Sequence, residues 1–96
     1  MMVVITYDVN TETPAGRKRL RKVAKACQNY GQRVQNSVFE CLVDPTIYKM
    51  LQIELVKIMD EETDSIRFYN IGDHWKPRIE HFGAKKSIDL EDSLIF

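Results

Sequence analysis

The hydrophobic positions of this chain recur with two different periods. Residues 3–9 (Val3-Val4-Ile5-Thr6-Tyr7-Asp8-Val9) are β-branched and aromatic, too few for an ordinary helix, and run into the turn-prone residues 10–16. They predict a central strand. Over residues 15–30 the apolar Leu20, Val23, Ala24 and Cys27 fall at i, i+3, i+4 and i+7, and basic residues fill the other positions. This predicts an amphipathic helix with a basic outer face, and Gly31 is the expected terminator. Residues 33–43 alternate Val34, Val38 and Leu42 against Phe39, Cys41 and Val43 as a second strand. Asp44-Pro45 then supplies an N-cap and a first-turn proline for a helix to about Met59, with Ile47, Leu51, Leu55 and Ile58 in one stripe. The acidic turn at residues 60–64 leads to a strand over 65–71. A loop through Gly72 and Pro77 precedes a short strand over 79–82.

Counted strictly along the chain the order is βαβαββ, and with residues 79–82 set as a hairpin beside 65–71 it becomes the βαββαβ type. Two βαβ units with right-handed crossovers give a ferredoxin-like α+β sandwich, an antiparallel sheet with two helices on one face. Ninety-six residues, 44% hydrophobic and 29% charged, without a Ser/Gly/Pro-rich linker, predict a single domain over residues 1–96. The strands carry apolar side chains on both sides, so the helix-free face should be covered by a second subunit, making a homodimer. The tail, residues 84–96, ends in Leu94-Ile95-Phe96 and is expected to pack on the dimer partner as an extra C-terminal strand. Folding back onto its own domain is the alternative.

The formal net charge of zero hides an asymmetry. Residues 1–40 hold seven Lys/Arg against three Asp/Glu, and residues 41–96 hold seven against eleven, so the parts carry +4 and −4. Arg17, Lys18, Arg19, Arg21, Lys22 and Lys25 place six positive charges in nine residues without an acid. Such a helix is either a solvated outer face or a surface that neutralises backbone phosphates without reading bases. Arg33, at the start of the second strand, would extend it.

Asp8 is the sharpest chemical signal, a carboxylate within an apolar strand that would be costly if desolvated and unpaired. It either caps the following turn by accepting backbone N–H groups or serves as a hard oxygen ligand for Mg²⁺ or Mn²⁺. Such an ion keeps several waters and is often held by only one or two carboxylates. In a two-fold dimer the two copies of Asp8 would meet near the axis and share one ion.

Other chemistries find little support. Cys27 and Cys41 form no CxxC pair and have no His at zinc-finger spacing, so reduced buried thiols are expected. Ser37, His74 and His81 lack the surroundings of a nucleophile or general base. Trp75 is expected as a loop or interface anchor. Phe68 and Tyr69 lack the glycine-flanked aromatic signature of the RNA-recognition fold. No apolar run is long enough to span a bilayer, and a cytoplasmic location without membrane contact is expected.

The residues resemble a known family, the small CRISPR-associated protein of spacer acquisition, named for an endoribonuclease activity. The resemblance runs through nearly the whole chain. It is carried by Val4-Ile5-Thr6-Tyr7-Asp8-Val9, by the basic helix Arg19-Leu20-Arg21-Lys22-Val23-Ala24-Lys25, and above all by Tyr30-Gly31-Gln32-Arg33-Val34-Gln35-Asn36-Ser37-Val38-Phe39-Glu40. Asp64-Ser65-Ile66-Arg67-Phe68-Tyr69 is similar to the family's third strand, and Gly83-Ala84-Lys85-Lys86 with Ser87-Ile88-Asp89-Leu90 resembles the type I-C form. The resemblance implies a ferredoxin-like homodimer, a Mg²⁺ or Mn²⁺ ion at Asp8, and assembly with a larger CRISPR integrase subunit. The positions of Tyr7, Arg33, Ser37 and Phe39 match the family motifs, which casts Tyr7, Ser37 and Phe39 as supporting residues. Members of the family differ in activity, so two functions are implied. One is metal-dependent cleavage of double-stranded DNA or single-stranded RNA at Asp8, and the other is a non-catalytic DNA-binding scaffold of the integration complex. A toxin-type endoribonuclease of the same fold is a more distant alternative.

Overall fold

A computed structural model of the protein describes residues 1–84. The elements run β1 (Met2–Asp8), α1 (Pro14–Gln28), β2 (Gly31–Gln35), β3 (Val38–Leu42), α2 (Pro45–Ile58) and β4 (Ser65–Gly72), followed by a 3₁₀ turn at Lys76–Arg78. The strands form one antiparallel sheet in the order β2-β3-β1-β4, the ferredoxin-like arrangement.

Each helix starts where its cap dictates. The Thr13 side chain accepts the Gly16 N–H at 3.0 Å ahead of Pro14, and Asp44 accepts the Ile47 N–H at 2.7 Å ahead of Pro45. Both helices bury one stripe against the same face of the sheet. Leu20, Val23, Ala24 and Cys27 of α1 and Leu51 and Leu55 of α2 share a core with Val3, Ile5 and Tyr7 of β1 and Phe39 and Cys41 of β3. Alternation sends Val4, Thr6, Val38, Glu40 and Leu42 to the other face, where they are partly buried, and leaves Tyr69 there at 43% exposure.

Two expected elements differ from the sequence reading. Residues 33–43 are not one strand. The turn-forming Asn36 and Ser37 break them into the β2–β3 hairpin, with Gln35 facing Val38 across the turn. This hairpin supplies the fourth strand, so βαββαβ holds along the chain. Residues 79–82 are correspondingly not a strand, and Phe82 stands 86% exposed after the 3₁₀ turn that Pro77 helps to start. Gly31 does not terminate α1, which ends at Gln28. It opens β2, where a Cβ would stand 1.8 Å from the Glu40 carbonyl oxygen.

Cys27 and Cys41 are buried free thiols, the Cys41 Sγ–H donating to the Cys27 carbonyl at 3.4 Å. Among the described residues no helix is long and apolar enough to cross a membrane. The tail expected to add a C-terminal strand lies, from Lys85 on, outside the described residues.

Candidate metal and nucleic-acid site

Asp8 is the last residue of β1 and pairs with Ser65 of β4. Strand alternation puts its side chain on the helix-free face with Val4 and Thr6, opposite to Tyr7. It is exposed, and among the described residues it accepts no hydrogen bond and makes no ion pair. The turn that Asp8 was expected to cap is held by other residues: Asn10 Oδ1 accepts the Glu12 N–H at 2.9 Å, and the Thr13 hydroxyl donates to the Asn10 carbonyl at 3.3 Å. The carboxylate is therefore neither desolvated nor paired with another side chain, which corrects the expectation of a carboxylate inside a buried strand.

The buried carboxylate is Asp64, just before β4, whose side chain is 0% exposed. Its oxygens accept hydrogen bonds from the Tyr7 hydroxyl, from Arg19 Nε at 2.8 Å and Nη2 at 3.1 Å, from the Asp60 N–H at 3.0 Å and from the Thr63 hydroxyl at 3.2 Å. Burial alone would raise the Asp64 carboxyl, but the bonds from Arg19 and Tyr7, then Asp60 and Thr63, outweigh it and hold the group well below the usual carboxylate range. Burial, followed by the bond to Asp64, pushes the Tyr7 hydroxyl up to about 12. Sequence reasoning passed over Asp64 because its partners Tyr7 and Arg19 lie 57 and 45 residues away. The one local hint is the Asp60–Asp64 turn, closed by the Asp64 N–H on the Asp60 carbonyl at 2.8 Å.

The basic residues separate into two groups. Arg19 is taken up by Asp64, with only 21% of its side chain exposed. Arg17 donates through Nη1 to the Thr11 and Glu12 carbonyls at 2.9 and 3.2 Å, bracing the β1–α1 loop. Arg33 donates through Nε to the Asn36 carbonyl at 2.7 Å, and its guanidinium lies 5.7 Å over the Phe39 ring, closing the hairpin turn. Lys18, Arg21 and Lys22 remain and, with Lys25, form an exposed stripe at i, i+3, i+4 and i+7 of α1 that makes no ion pair among the described residues. Glu54 of α2 shares a shallow surface depression with Lys22 and Lys25.

Ser37 contributes its backbone, the carbonyl accepting the Tyr7 N–H at 2.9 Å, and Phe39 lies in the core. His74 and His81 are exposed, and the Lys76 ammonium sits 5.9 Å over the partly buried Trp75 ring. Among the described residues no group of three or more His, Cys, Asp or Glu side chains is placed to hold a metal ion. Asp8 fits an ion that keeps most of its waters and takes few protein ligands.

Comparison with known proteins adds three observations. The family model described as CRISPR associated protein Cas2 matches residues 1–79. The CRISPR-associated endonuclease Cas2 of Halalkalibacterium halodurans is 65% identical over 96 residues, covering 100% of both chains, and the CRISPR-associated endoribonuclease Cas2 of Chlorobaculum tepidum is 61% identical over 95 residues, covering 99% of each. Among solved structures, Streptococcus pyogenes Cas2 superposes with a TM-score of 0.80 at 64% identity, covering 86% of this chain and 100% of that one.

Proposed function

The chain belongs to the CRISPR-associated Cas2 family, and on that premise we propose that it is a metal-dependent endonuclease of spacer acquisition, acting as a homodimer on double-stranded DNA beside a larger integrase subunit. Relatives covering the whole chain carry the names endonuclease and endoribonuclease, which supports phosphodiester cleavage as the activity. The observation that carries the reading is the Asp8 carboxylate, exposed, unpartnered and held at the end of an ordered strand.

One chain offers one such carboxylate, and a two-fold dimer offers two. The helix-free face bears Asp8 together with Val4, Val38, Leu42 and the exposed Tyr69, so a second copy covering these apolar groups would bring its own Asp8 toward the first. A shared Mg²⁺ or Mn²⁺ ion, when bound, supplies positive charge to the scissile phosphate. The chain's own residues do the rest. The Asp8 pair would hold the ion, and the stripe of Lys18, Arg21, Lys22 and Lys25 would bind the duplex through its phosphates without regard to sequence. No side-chain nucleophile is required, which suits the backbone role of Ser37 and the exposed positions of His74 and His81.

Asp8→Asn keeps the shape of the side chain and removes its charge. It should abolish Mg²⁺-dependent cleavage of duplex DNA while leaving dimerisation in light scattering and DNA binding unchanged. Cleavage by the variant at the wild-type rate would overturn the enzymatic reading. Full spacer integration by the variant beside the integrase subunit would put the scaffold function in its place, and cleavage confined to single-stranded RNA would reassign the substrate.

A further inference from the structure

We propose that Asp64 is a positioning residue for Asp8: its buried carboxylate ties β1, β4 and α1 together where β1 ends, and so fixes where the Asp8 carboxylate stands on the opposite face of the sheet. This rests on the reading of Asp8 as the metal ligand.

Strand ends open most readily, and β1 ends at Asp8 itself, with Val9 and Asn10 already outside the sheet. The residue just before it is held from every side. Tyr7 pairs with Ile66 on β4, its N–H donates to the Ser37 carbonyl at 2.9 Å, and its hydroxyl donates to Asp64. Asp64 in turn directly precedes Ser65, the register partner of Asp8. The Tyr7–Asp8 and Asp64–Ser65 segments are therefore joined twice, once through the strand ladder and once through side chains beneath it. Arg19 adds a third anchor from α1 with its paired bonds at 2.8 and 3.1 Å, while the Asp60 N–H and the Thr63 hydroxyl fill the remaining acceptor sites. Among the described residues no buried side-chain polar atom lacks a partner.

An apolar plug would fill this space at lower desolvation cost. A carboxylate with several directional donors specifies position as well as filling space. Position matters at Asp8, because an ion shared by one carboxylate from each copy tolerates little displacement. A shift of roughly 1 Å in a reacting arrangement costs on the order of 100-fold in rate.

The test uses the full chain with Asp64→Asn and the milder Tyr7→Phe, and Asp8→Asn as the reference for the metal site. Amide hydrogen exchange without metal should accelerate at Tyr7 and Asp8 in Asp64→Asn and Tyr7→Phe and stay unchanged at Val3, Val4 and Ile5. Mn²⁺ titration followed by electron paramagnetic resonance, without substrate, should show an affinity loss of up to about 10-fold, the low end of what removing a directly bonded outer partner costs, because Asp64 acts through the strand and makes no bond to Asp8. On duplex DNA, kcat should fall while KM holds. Wild-type exchange at Asp8, or acceleration spread evenly over all four strands, would overturn the proposal, as would unchanged Mn²⁺ affinity in variants whose Asp8 reference has lost it. If Asp64→Asn does not fold, Tyr7→Phe alone decides. Should Asp8→Asn bind Mn²⁺ like the wild type, the metal reading fails by itself, and exchange at Asp8 still decides whether Asp64 holds that strand end.

Discussion

The division of the basic residues makes a quantitative prediction about DNA binding. Lys18, Arg21, Lys22 and Lys25 are exposed along one face of α1, whereas Arg17 and Arg19 are engaged by the Thr11 and Glu12 carbonyls and by Asp64. If each residue of the stripe neutralises one phosphate of B-form DNA, the slope of log K against log salt is about −0.9 per contact, or about −3.6 per chain. Between 50 and 200 mM salt each contacting chain then weakens binding about 150-fold. Replacing the four residues together by Gln should remove about 3.6 from the slope for each chain whose stripe contacts the duplex, and each single replacement about 0.9 per such chain. Arg19→Gln should leave the slope within about 0.5 of wild type, because its guanidinium is not offered to the duplex. Its effect should appear in the urea midpoint instead. Fluorescence anisotropy of a labelled duplex over a salt series reads these slopes directly. A fourfold variant with the wild-type slope would show that the stripe is only a solvated face, and an Arg19→Gln variant that flattens the slope at unchanged stability would return Arg19 to the interface.

Further expectations concern the fold. The depressed Asp64 carboxyl contributes stability that is present above the unfolded carboxyl value near pH 4 and lost as pH falls below it, so the fall in the urea midpoint from pH 5 to pH 2 should be shallower in Asp64→Asn. Tyr7 has the opposite sign. Its hydroxyl is raised from 10.0 to about 12, so the folded state keeps a proton that the unfolded chain releases, stability is lost as pH rises across that interval, and Tyr7→Phe should flatten that loss. Gly31→Ala sets a methyl carbon 1.8 Å from the Glu40 carbonyl oxygen, a clash with the neighbouring strand's backbone that should cost more than about 2 kcal/mol in urea unfolding.

Much of the fold is legible locally. The β-branched and aromatic run identifies β1, the apolar stripe at i, i+3, i+4 and i+7 identifies the first helix and that at i, i+4, i+8 and i+11 the second, and Asp44-Pro45 marks where the second helix begins, whereas the Thr13 cap of the first appears only in the structure. The β2–β3 hairpin escapes because Val34 and Val38 continue the alternation through a turn that Asn36 and Ser37 make tightly. Candidate chemistry divides in the same way. That Asp8 is the lone carboxylate of the first strand, and that the first helix is basic, follow from the order of residues, since side-chain period and charge are properties of neighbours along the chain. Which carboxylate is buried and which arginines are already engaged do not follow. Tyr7, Arg19 and Asp64 meet only because the antiparallel β1–β4 ladder and the α1 crossover bring them to one end of the sheet. A buried charge is stabilised by whatever donors the completed core places around it, and folding alone brings together donors 45 and 57 residues distant.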